Sequence, residues 1–298
     1  MGTELADAAV RWYGEHARDL PWRDPAASPW AILVSEVMLQ QTPVSRVLPA
    51  WRDWLDRWPT PAALAADPPA EAIRAWGRLG YPRRALRLHE CATAIAKLPG
   101  GEVPDRLDAL LRLPGIGTYT ARAVAAFAYG QRYPVVDTNV RRVVARAVAG
   151  EADAGPATTA ADLATVEALL PIEPAVAARA SVAFMELGAV VCTARAPRCP
   201  DCPLWSICAW QAAGAPPASA PGRRQQRFAG TDRQVRGILL AELRAVRTPV
   251  PRSRLDALWP DPAQRNRALA GLVTDGLVDH VSPDHYGLPG ESGPGGKR

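Results

Sequence analysis

Four of the five cysteines in this chain fall within seventeen residues: Cys192, Cys199, Cys202 and Cys208. Clustered thiolates are ligands for iron–sulfur clusters and for zinc. Structural zinc sites usually contain two Cys-x-x-Cys pairs, whereas only Cys199 and Cys202 form such a pair here. The spacing therefore favours an iron–sulfur cluster, with zinc as the alternative. Disulfides are a poorer interpretation, because the amino terminus shows no secretion signal.

A second chemical pattern lies in residues 107–130, where a predicted apolar helix leads into Pro114-Gly115-Ile116-Gly117 and a new helix begins at Thr118. Two glycines let the backbone turn sharply and leave main-chain N–H groups at the start of the second helix pointing outward. Such groups bind phosphate, and they fix a nucleic-acid strand without reading its bases. The pattern predicts a helix-hairpin-helix phosphate clamp; a tight corner between two helices is the alternative.

Composition limits the class of protein. With 298 residues, 48% of them apolar, the chain can bury a large core and is expected to form two domains. Its formal net charge of +5 favours a polyanionic partner without proving one. The first twenty residues carry charges every few positions and contain no apolar signal core or membrane span. We therefore expect a cytoplasmic protein with no membrane partner.

Most of the chain has the three- and four-residue apolar spacing that predicts α-helix. The clearest helices are predicted over residues 4–18, 29–40, 44–57, 83–97 and 160–170. No convincing strand pattern occurs before residue 270. The predicted fold class is therefore mainly α.

A change in composition marks the end of the first domain. Residues 211–228 are rich in Ala, Pro and Gly and predict a linker. Residues 229–298 then show two short apolar segments that could pair as a hairpin, preceded by helical patterns at 233–246, 251–259 and 262–275. This order is typical of a winged helix, whose third helix, with Arg265 and Arg267, would enter a major groove of DNA. Packing of the module against the first domain or another protein is the alternative.

A helix-hairpin-helix followed by a four-cysteine loop resembles the base-excision DNA glycosylases of the endonuclease III superfamily. The resemblance covers residues 5–210 and is closest to the adenine glycosylase branch, the MutY family, in the segments SEVMLQQT (35–42), LGY (79–81), VDTNV (136–140) and MELG (185–188). It implies a helix-hairpin-helix DNA glycosylase fold of two helical subdomains over residues 1–210, with a [4Fe-4S] loop at 192–208 and a small winged-helix-like module at 229–298. The four cysteines would be the cluster ligands.

The resemblance also implies catalytic roles. Glu36 would protonate N7 of adenine, and Asp137 would stabilise the positive charge that builds on the sugar. Because Glu36 interrupts an apolar stretch, burial is expected to raise its pKa toward the range that suits a general acid. A helix is expected to start near Asn139, so Asp137 could also cap that helix. We include Asn139 among the predicted catalytic residues. Tyr119 stands where bifunctional relatives carry a lysine, so base release by water without strand cleavage is expected.

The resemblance implies DNA contacts as well. Gln41 and Tyr81 would be wedged into the base stack when the target base is extruded. Trp22 and Arg23 would form a wall of the adenine pocket, although Trp22 could be a core residue. The DNA-binding residues of the hairpin would be Gly115, Gly117 and Thr118. Two features depart from the family: Val182 replaces a polar residue that contacts adenine in several members, and the region after the linker is too short for the Nudix-like domain that recognises 8-oxoguanine.

The resulting hypothesis is a monofunctional DNA glycosylase, acting as a monomer on double-stranded DNA that contains a mispaired adenine. It would hydrolyse the N-glycosidic bond of adenine opposite 8-oxoguanine or guanine in base-excision repair. A thymine or uracil mismatch glycosylase would share the hairpin, Asp137 and the cluster, but would not need Glu36. A non-enzymatic iron–sulfur regulator that binds DNA through its winged helix is the third possibility. The cluster itself is expected to be structural.

Overall fold

The computed structural model of the protein describes residues 2–155, 157–218 and 228–291. Residues 219–227 of the predicted linker and residues 292–298 of the predicted C-terminal domain lie outside the described residues. None of the described helices combines the length and the apolar character needed to cross a bilayer.

The described chain is mainly helical, as predicted. The helices are α1 Gly2–His16, α2 Pro29–Leu39, α3 Val44–Arg57, α4 Pro61–Ala66, α5 Pro69–Trp76, α6 Arg83–Ile95, α7 Leu107–Leu111, α8 Thr118–Tyr129, α9 Thr138–Val144, α10 Ala160–Leu169, α11 Pro174–Val190, α12 Ala209–Ala212, α13 Asp232–Ala245, α14 Arg252–Asp256 and α15 Pro262–Thr274. Three short strands, β1 Val250–Pro251, β2 Asp279–Ser282 and β3 His285–Gly287, form one antiparallel sheet in the order β1-β3-β2.

The chain forms two compact units. Unit 1 contains the described residues of Met1–Leu33, Pro104–Arg112 and Ile116–Arg223, and its core is built from α1, α9, α10 and α11. Side chains set the starts of these helices: Asp137 caps α9, Thr159 and Asp162 form a capping box at α10, and Glu173 accepts the first N–H groups of α11. The buried side chains Val140, Phe184 and Leu187 lie in this core.

Unit 2 contains the described residues of Val34–Val103, Leu113–Gly115 and Arg224–Arg298. Its first part packs three fully buried tryptophans edge to face: Trp54, Trp58 and Trp76. The C-terminal module, β1–β3 with α13–α15, shares one core with Ala70 and Ile73 of α5. The order helix, strand, two helices and hairpin is that of a winged helix, so the predicted small C-terminal module is confirmed. The domain boundaries at 210 and 229 stay a prediction.

The structure adds four helices that the sequence patterns did not single out, α4, α5, α11 and α12, and the strand β1. It also shows what the third helix of the module does with its arginines. Arg265 has a side chain only 12% exposed, pairs with Asp256 at 2.8 Å and donates to the carbonyl of Trp259 at 2.7 Å. Arg267 pairs with Asp232 at 3.2 Å. These contacts lie inside the module and favour packing over readout of a DNA groove by Arg265.

Candidate active site

Asp137 follows the buried Val135 and Val136 and begins α9 in unit 1. One carboxylate oxygen accepts the Val140 N–H at 2.7 Å and the other accepts the Asn139 side-chain amide at 2.8 Å. Burial raises the pKa of Asp137, whereas these hydrogen bonds oppose the rise by stabilising the charged form. The helix cap expected from the sequence is therefore present, and it holds the carboxylate in one orientation.

A chain of hydrogen bonds continues from Asp137 to the cysteine loop. The Asn139 carbonyl oxygen of the side chain accepts from Arg142 Nη2 at 2.8 Å, and the same nitrogen donates to the backbone carbonyl of Gly188 at 2.7 Å. Arg142 Nε donates to the backbone carbonyl of Cys192 at 2.7 Å. Sequence reasoning missed Arg142, since its partners Gly188 and Cys192 lie 46 and 50 residues away along the chain. The predicted catalytic residues Asp137 and Asn139 are thus joined to the first cysteine.

Glu36, the other predicted catalytic carboxyl group, lies on α2 and belongs to unit 2. It is only 6% exposed, and its helix neighbours Val34, Ser35 and Val37 are buried as well. The burial expected from its apolar surroundings is confirmed.

Trp22 and Arg23 lie in a short helical turn of unit 1, Pro21–Arg23, and Trp22 is buried. Arg23 donates to the carboxylate of Glu186 at 2.7 Å, and Arg18 donates to both oxygens of that carboxylate at 2.6 and 2.7 Å. Glu186 is fully buried; burial alone would raise its pKa, but the hydrogen bonds and charges of the two arginines lower it to about 2. Sequence reasoning assigned no role to Glu186; a carboxylate inside the otherwise apolar segment MELG (185–188) is the signal that could have revealed it.

Tyr119, predicted to replace a catalytic lysine, lies half-buried on α8. It packs against a small core of unit 1 formed by Ala123, Ala126, Val135 and Ala178. Tyr119 therefore helps to cover this core, and its phenol cannot form an imine with a sugar.

The hairpin residues Gly115, Gly117 and Thr118 are exposed at the surface. Gly115 has a φ of +74°, and a Cβ placed there would lie 2.7 Å from Cβ of Arg87, so both backbone conformation and space require glycine. Gly117 is the N-cap of α8 and supplies no side-chain cap to its N–H groups. A helix start of this kind suits an anion such as phosphate.

Gln41 and Tyr81, the predicted wedge residues, share a rare backbone conformation. Their φ angles are +54° and +46°, and Tyr81 is 58% exposed. Left-handed backbone at a residue other than glycine costs on the order of 1–2 kcal/mol and persists only where the surroundings enforce it. Both residues lie in unit 2, in the loops that follow α2 and precede α6.

The four clustered cysteines line one cavity in unit 1, as their spacing predicted. Arg146 Nη1 lies 3.4 Å from Sγ of Cys192, and the Gln211 side-chain amide donates to Sγ of Cys199 at 3.0 Å. Donors aimed at sulfur fit thiolates that carry charge, which is the state of a ligating cysteine. Within the described part of the chain, no three His, Cys, Asp or Glu side chains form a group that would hold a single metal ion.

Comparisons with known proteins relate this chain to DNA repair glycosylases. Residues 34–167 match the model of the HhH-GPD superfamily of base excision DNA repair proteins. The chain is 60% identical to an adenine DNA glycosylase of Mycobacterium tuberculosis strain H37Rv over 284 residues, 95% of this chain and 92% of that protein. It is 61% identical to the adenine DNA glycosylase of Mycolicibacterium smegmatis over 283 residues, 95% of each chain. A solved thermostable thymine-DNA glycosylase has a TM-score of 0.62 at 26% identity, covering 70% of this chain and 95% of its own.

The helical fold, the glycine hairpin, the buried Glu36 and the half-buried Asp137 define a DNA glycosylase of the helix-hairpin-helix class. The chain belongs to the HhH-GPD superfamily of base excision DNA repair proteins and, within it, to the adenine DNA glycosylase family.

Proposed function

We propose that the protein releases adenine mispaired with 8-oxoguanine or guanine in double-stranded DNA by hydrolysing its N-glycosidic bond. The observation that supports this proposal most strongly is that Glu36 is a buried carboxyl group within the otherwise apolar helix α2. Adenine is a poor anionic leaving group, so its departure needs a proton from a positioned acid, worth typically 10²–10⁴-fold in rate. The relatives at 60% and 61% identity, which are named adenine DNA glycosylases, support the same substrate.

The residues divide the chemistry between them. Glu36 donates a proton to N7 of adenine while the glycosidic bond breaks. Asp137, oriented by Val140 and Asn139, stabilises the developing positive charge on the sugar. Water then adds to the sugar, because Tyr119 offers no amine that could trap it. The product is an abasic site in an intact strand.

We assign base recognition to the group formed by Trp22, Arg23, Arg18 and Glu186. Trp22 would form a wall of the purine pocket. The guanidinium groups of Arg18 and Arg23, which the fully buried Glu186 holds in place, would offer donors to the purine edge. This pairing supports recognition despite Val182, which has no polar group to offer. The exposed hairpin residues Gly115, Gly117 and Thr118 would bind phosphate, and Gln41 with Tyr81 would fill the space that the extruded adenine leaves.

We also propose that the cysteine cavity holds a [4Fe-4S] cluster, with Cys192, Cys199, Cys202 and Cys208 as ligands. The donors of Arg146 and Gln211 support this fit. The bound cluster would supply structural cross-linking of the loop rather than hydrolytic chemistry. Iron and acid-labile sulfide in the purified protein are the expected result; zinc without sulfide would contradict the cluster.

A thymine or uracil mismatch glycosylase is the second candidate, because the structural relative at 26% identity is a thymine-DNA glycosylase. Duplexes with A opposite 8-oxoguanine, A opposite guanine, T opposite guanine and U opposite guanine distinguish the two activities. After incubation with the protein, alkali breaks the strand wherever a base has been released. We expect breaks at adenine alone, and none without alkali. Breaks mainly at T or U would favour the second candidate, and binding without release would favour a regulator.

Substitution of Glu36 tests its proposed role as the general acid. Glu36→Gln keeps the shape of the side chain but removes the proton, so single-turnover release of adenine should fall by about 10²-fold or more. Glu102→Gln, at an exposed position of the same unit, is the matched control and should react like the parent. Equal rates for Glu36→Gln and the parent would exclude Glu36 as the acid.

We also propose that the protein is cytoplasmic and acts as a monomer. A mass of twice one chain in light scattering would contradict the monomer.

A further inference from the structure

Arg84, the second residue of α6, connects the two loops that carry Gln41 and Tyr81. Its Nη1 donates at 2.8, 3.1 and 2.6 Å to the backbone carbonyls of Val37, Met38 and Gln40. Its Nη2 donates at 3.1 Å to the Thr42 hydroxyl and at 3.1 Å to the Gly80 carbonyl. One half-buried guanidinium group thus contacts the residues on both sides of Gln41 and the residue before Tyr81.

Further contacts join the same loops. The Thr42 hydroxyl lies 3.3 Å from the carbonyl of Leu79, in the loop of Tyr81. The guanidinium carbon of Arg84 lies 5.2 Å from the ring centre of Trp76 and 5.6 Å from that of Tyr81, within the range of cation–π attraction. A planar guanidinium has several donors in fixed directions and can hold carbonyl groups of different segments in one geometry. A lysine ammonium is a compact point charge without such fixed directions.

These contacts account for two unusual backbones at once. Gln41 and Tyr81 are non-glycine residues with positive φ, a conformation that must be imposed by neighbouring groups. Arg84 donates to the backbone carbonyls of Val37, Met38 and Gln40 at the end of α2 and to the carbonyl of Gly80, directly before Tyr81. Without it, each loop could relax separately, and the two side chains would no longer be displayed together.

We propose that Arg84 is a positioning residue that fixes Gln41 and Tyr81 as one preformed wedge for base extrusion. The inference rests on the proposed glycosylase function and deepens it. Loops already held in their inserted conformation do not lose further freedom when they enter DNA, so more of the binding energy is available to unstack the base. Arg84 acts through the two loops and does not touch the reacting atoms.

The test measures extrusion apart from bond cleavage. A duplex carries 2-aminopurine, a fluorescent adenine analogue whose emission rises on unstacking, at the target position. Single-turnover release of adenine from the corresponding normal duplex is measured in parallel at saturating protein. The parent is compared with Arg84→Met, which keeps the aliphatic stem but removes every donor. Arg52→Met, at an exposed position of α3, is the matched control.

We expect Arg84→Met to lower the amplitude or rate of the fluorescence rise by about tenfold and adenine release by up to about 10²-fold, the effect of a misplacement of roughly 1 Å. Its melting temperature should stay close to that of the parent, and Arg84→Lys should restore only part of the signal. Arg52→Met should match the parent in both assays. A normal fluorescence rise in Arg84→Met, with or without slower release, would overturn the proposal.

Thr42→Val is a second test of the role of Arg84, and it does not depend on whether Arg84→Met folds. This change removes only the hydroxyl that links Arg84 to the loop of Tyr81. It should slow extrusion severalfold, and in the Arg84→Lys background it should add less than the two single effects combined. Parent-like extrusion in both Thr42→Val and Arg84→Lys would overturn the role of Arg84. If the parent itself releases no adenine, the proposed function fails first.

Discussion

At the scale of single residues, Asp137 has two tasks that one substitution can separate. Asn is as good a helix cap as Asp, so Asp137→Asn should keep the start of α9 while removing the negative charge near the sugar. We expect adenine release to fall by about 10²–10³-fold, the usual effect of losing one group that stabilises transition-state charge. Single-turnover kinetics together with thermal unfolding would measure both effects.

Asp137→Ala is the companion variant, because it removes both the charge and the cap. It should react as slowly as Asp137→Asn and in addition lose about 1 kcal/mol of stability. If Asp137→Asn melted as low as Asp137→Ala, the capping hydrogen bond to Val140 would not contribute to stability.

Single residues were also where the sequence was most informative. Glu36, Asp137 and the cysteines stand out because their types conflict with apolar surroundings or cluster along the chain. Their partners do not stand out. Arg18 meets Glu186 across 168 residues of sequence, so its role follows from the folding of α1 beside α11 and not from any local pattern.

At the scale of elements, α9 and α11 approach each other at Gly188. A Cβ on Gly188 would lie 2.7 Å from the backbone oxygen of Asn139, closer than real contacts allow. Gly188→Ala should therefore push Asn139 and the start of α9 away, with a cost of about 1–3 kcal/mol typical of overpacking. Adenine release should fall as well, since Asn139 holds Asp137. Chemical denaturation and single-turnover rates would check both.

Gly237→Ala is the control for that change, because it also adds a methyl group to a helical glycine but meets nothing within 4 Å. It should be neutral or slightly stabilising. Equal stability of Gly188→Ala and the parent would mean that the helices can separate at no cost.

Elements differ in how well their sequences reveal them. Helix α3 was predicted with its observed bounds, 44–57, because its apolar residues occupy one face. Helix α11 was not singled out, because its own alanines and other apolar residues lie on all its faces and give no contrast between them. The short α5 was missed for a different reason: its eight residues, beginning with proline, are too few to establish a helical period.

Glu71 on α5 predicts a pH dependence of stability. Burial would raise its pKa, but hydrogen bonds from Arg57 and Arg247 lower it to about 2, from a usual value of 4.5. The folded state therefore gains stability from the charged form above pH 4.5 and loses it as the pH falls toward 2. Glu71→Gln should be less stable than the parent by about 2 kcal/mol at pH 7, and this difference should shrink below pH 4.5. Urea unfolding between pH 7 and 3 would measure it; a constant difference would exclude the ion pairs as its source.

For the molecule as a whole, the change in composition after residue 210 predicted a separate C-terminal module. Packing against the first domain was one alternative, but the sequence did not indicate which segment the module contacts. In unit 2 the module's core includes Ala70 and Ile73, and Arg247 pairs with Glu71 at 2.6 Å. Arg74 donates to the carbonyl of Val246 at 2.6 Å. Contacts between segments so far apart in sequence depend on the folded shape of each segment, so no local sequence pattern could predict them.

The shared core predicts that α5 and the C-terminal module unfold together. Leu255 is fully buried in the module, and Leu255→Ala should cost about 2–5 kcal/mol. Hydrogen exchange in this variant should accelerate in α5 as well as in α13–α15, because one core protects both. Val166→Ala, in the core of unit 1, is the control and should accelerate α10 while leaving α5 as it is in the parent. If Leu255→Ala loosens the module but α5 exchanges at the parent's rate, Ala70 and Ile73 do not couple the two, and the module folds as an independent domain.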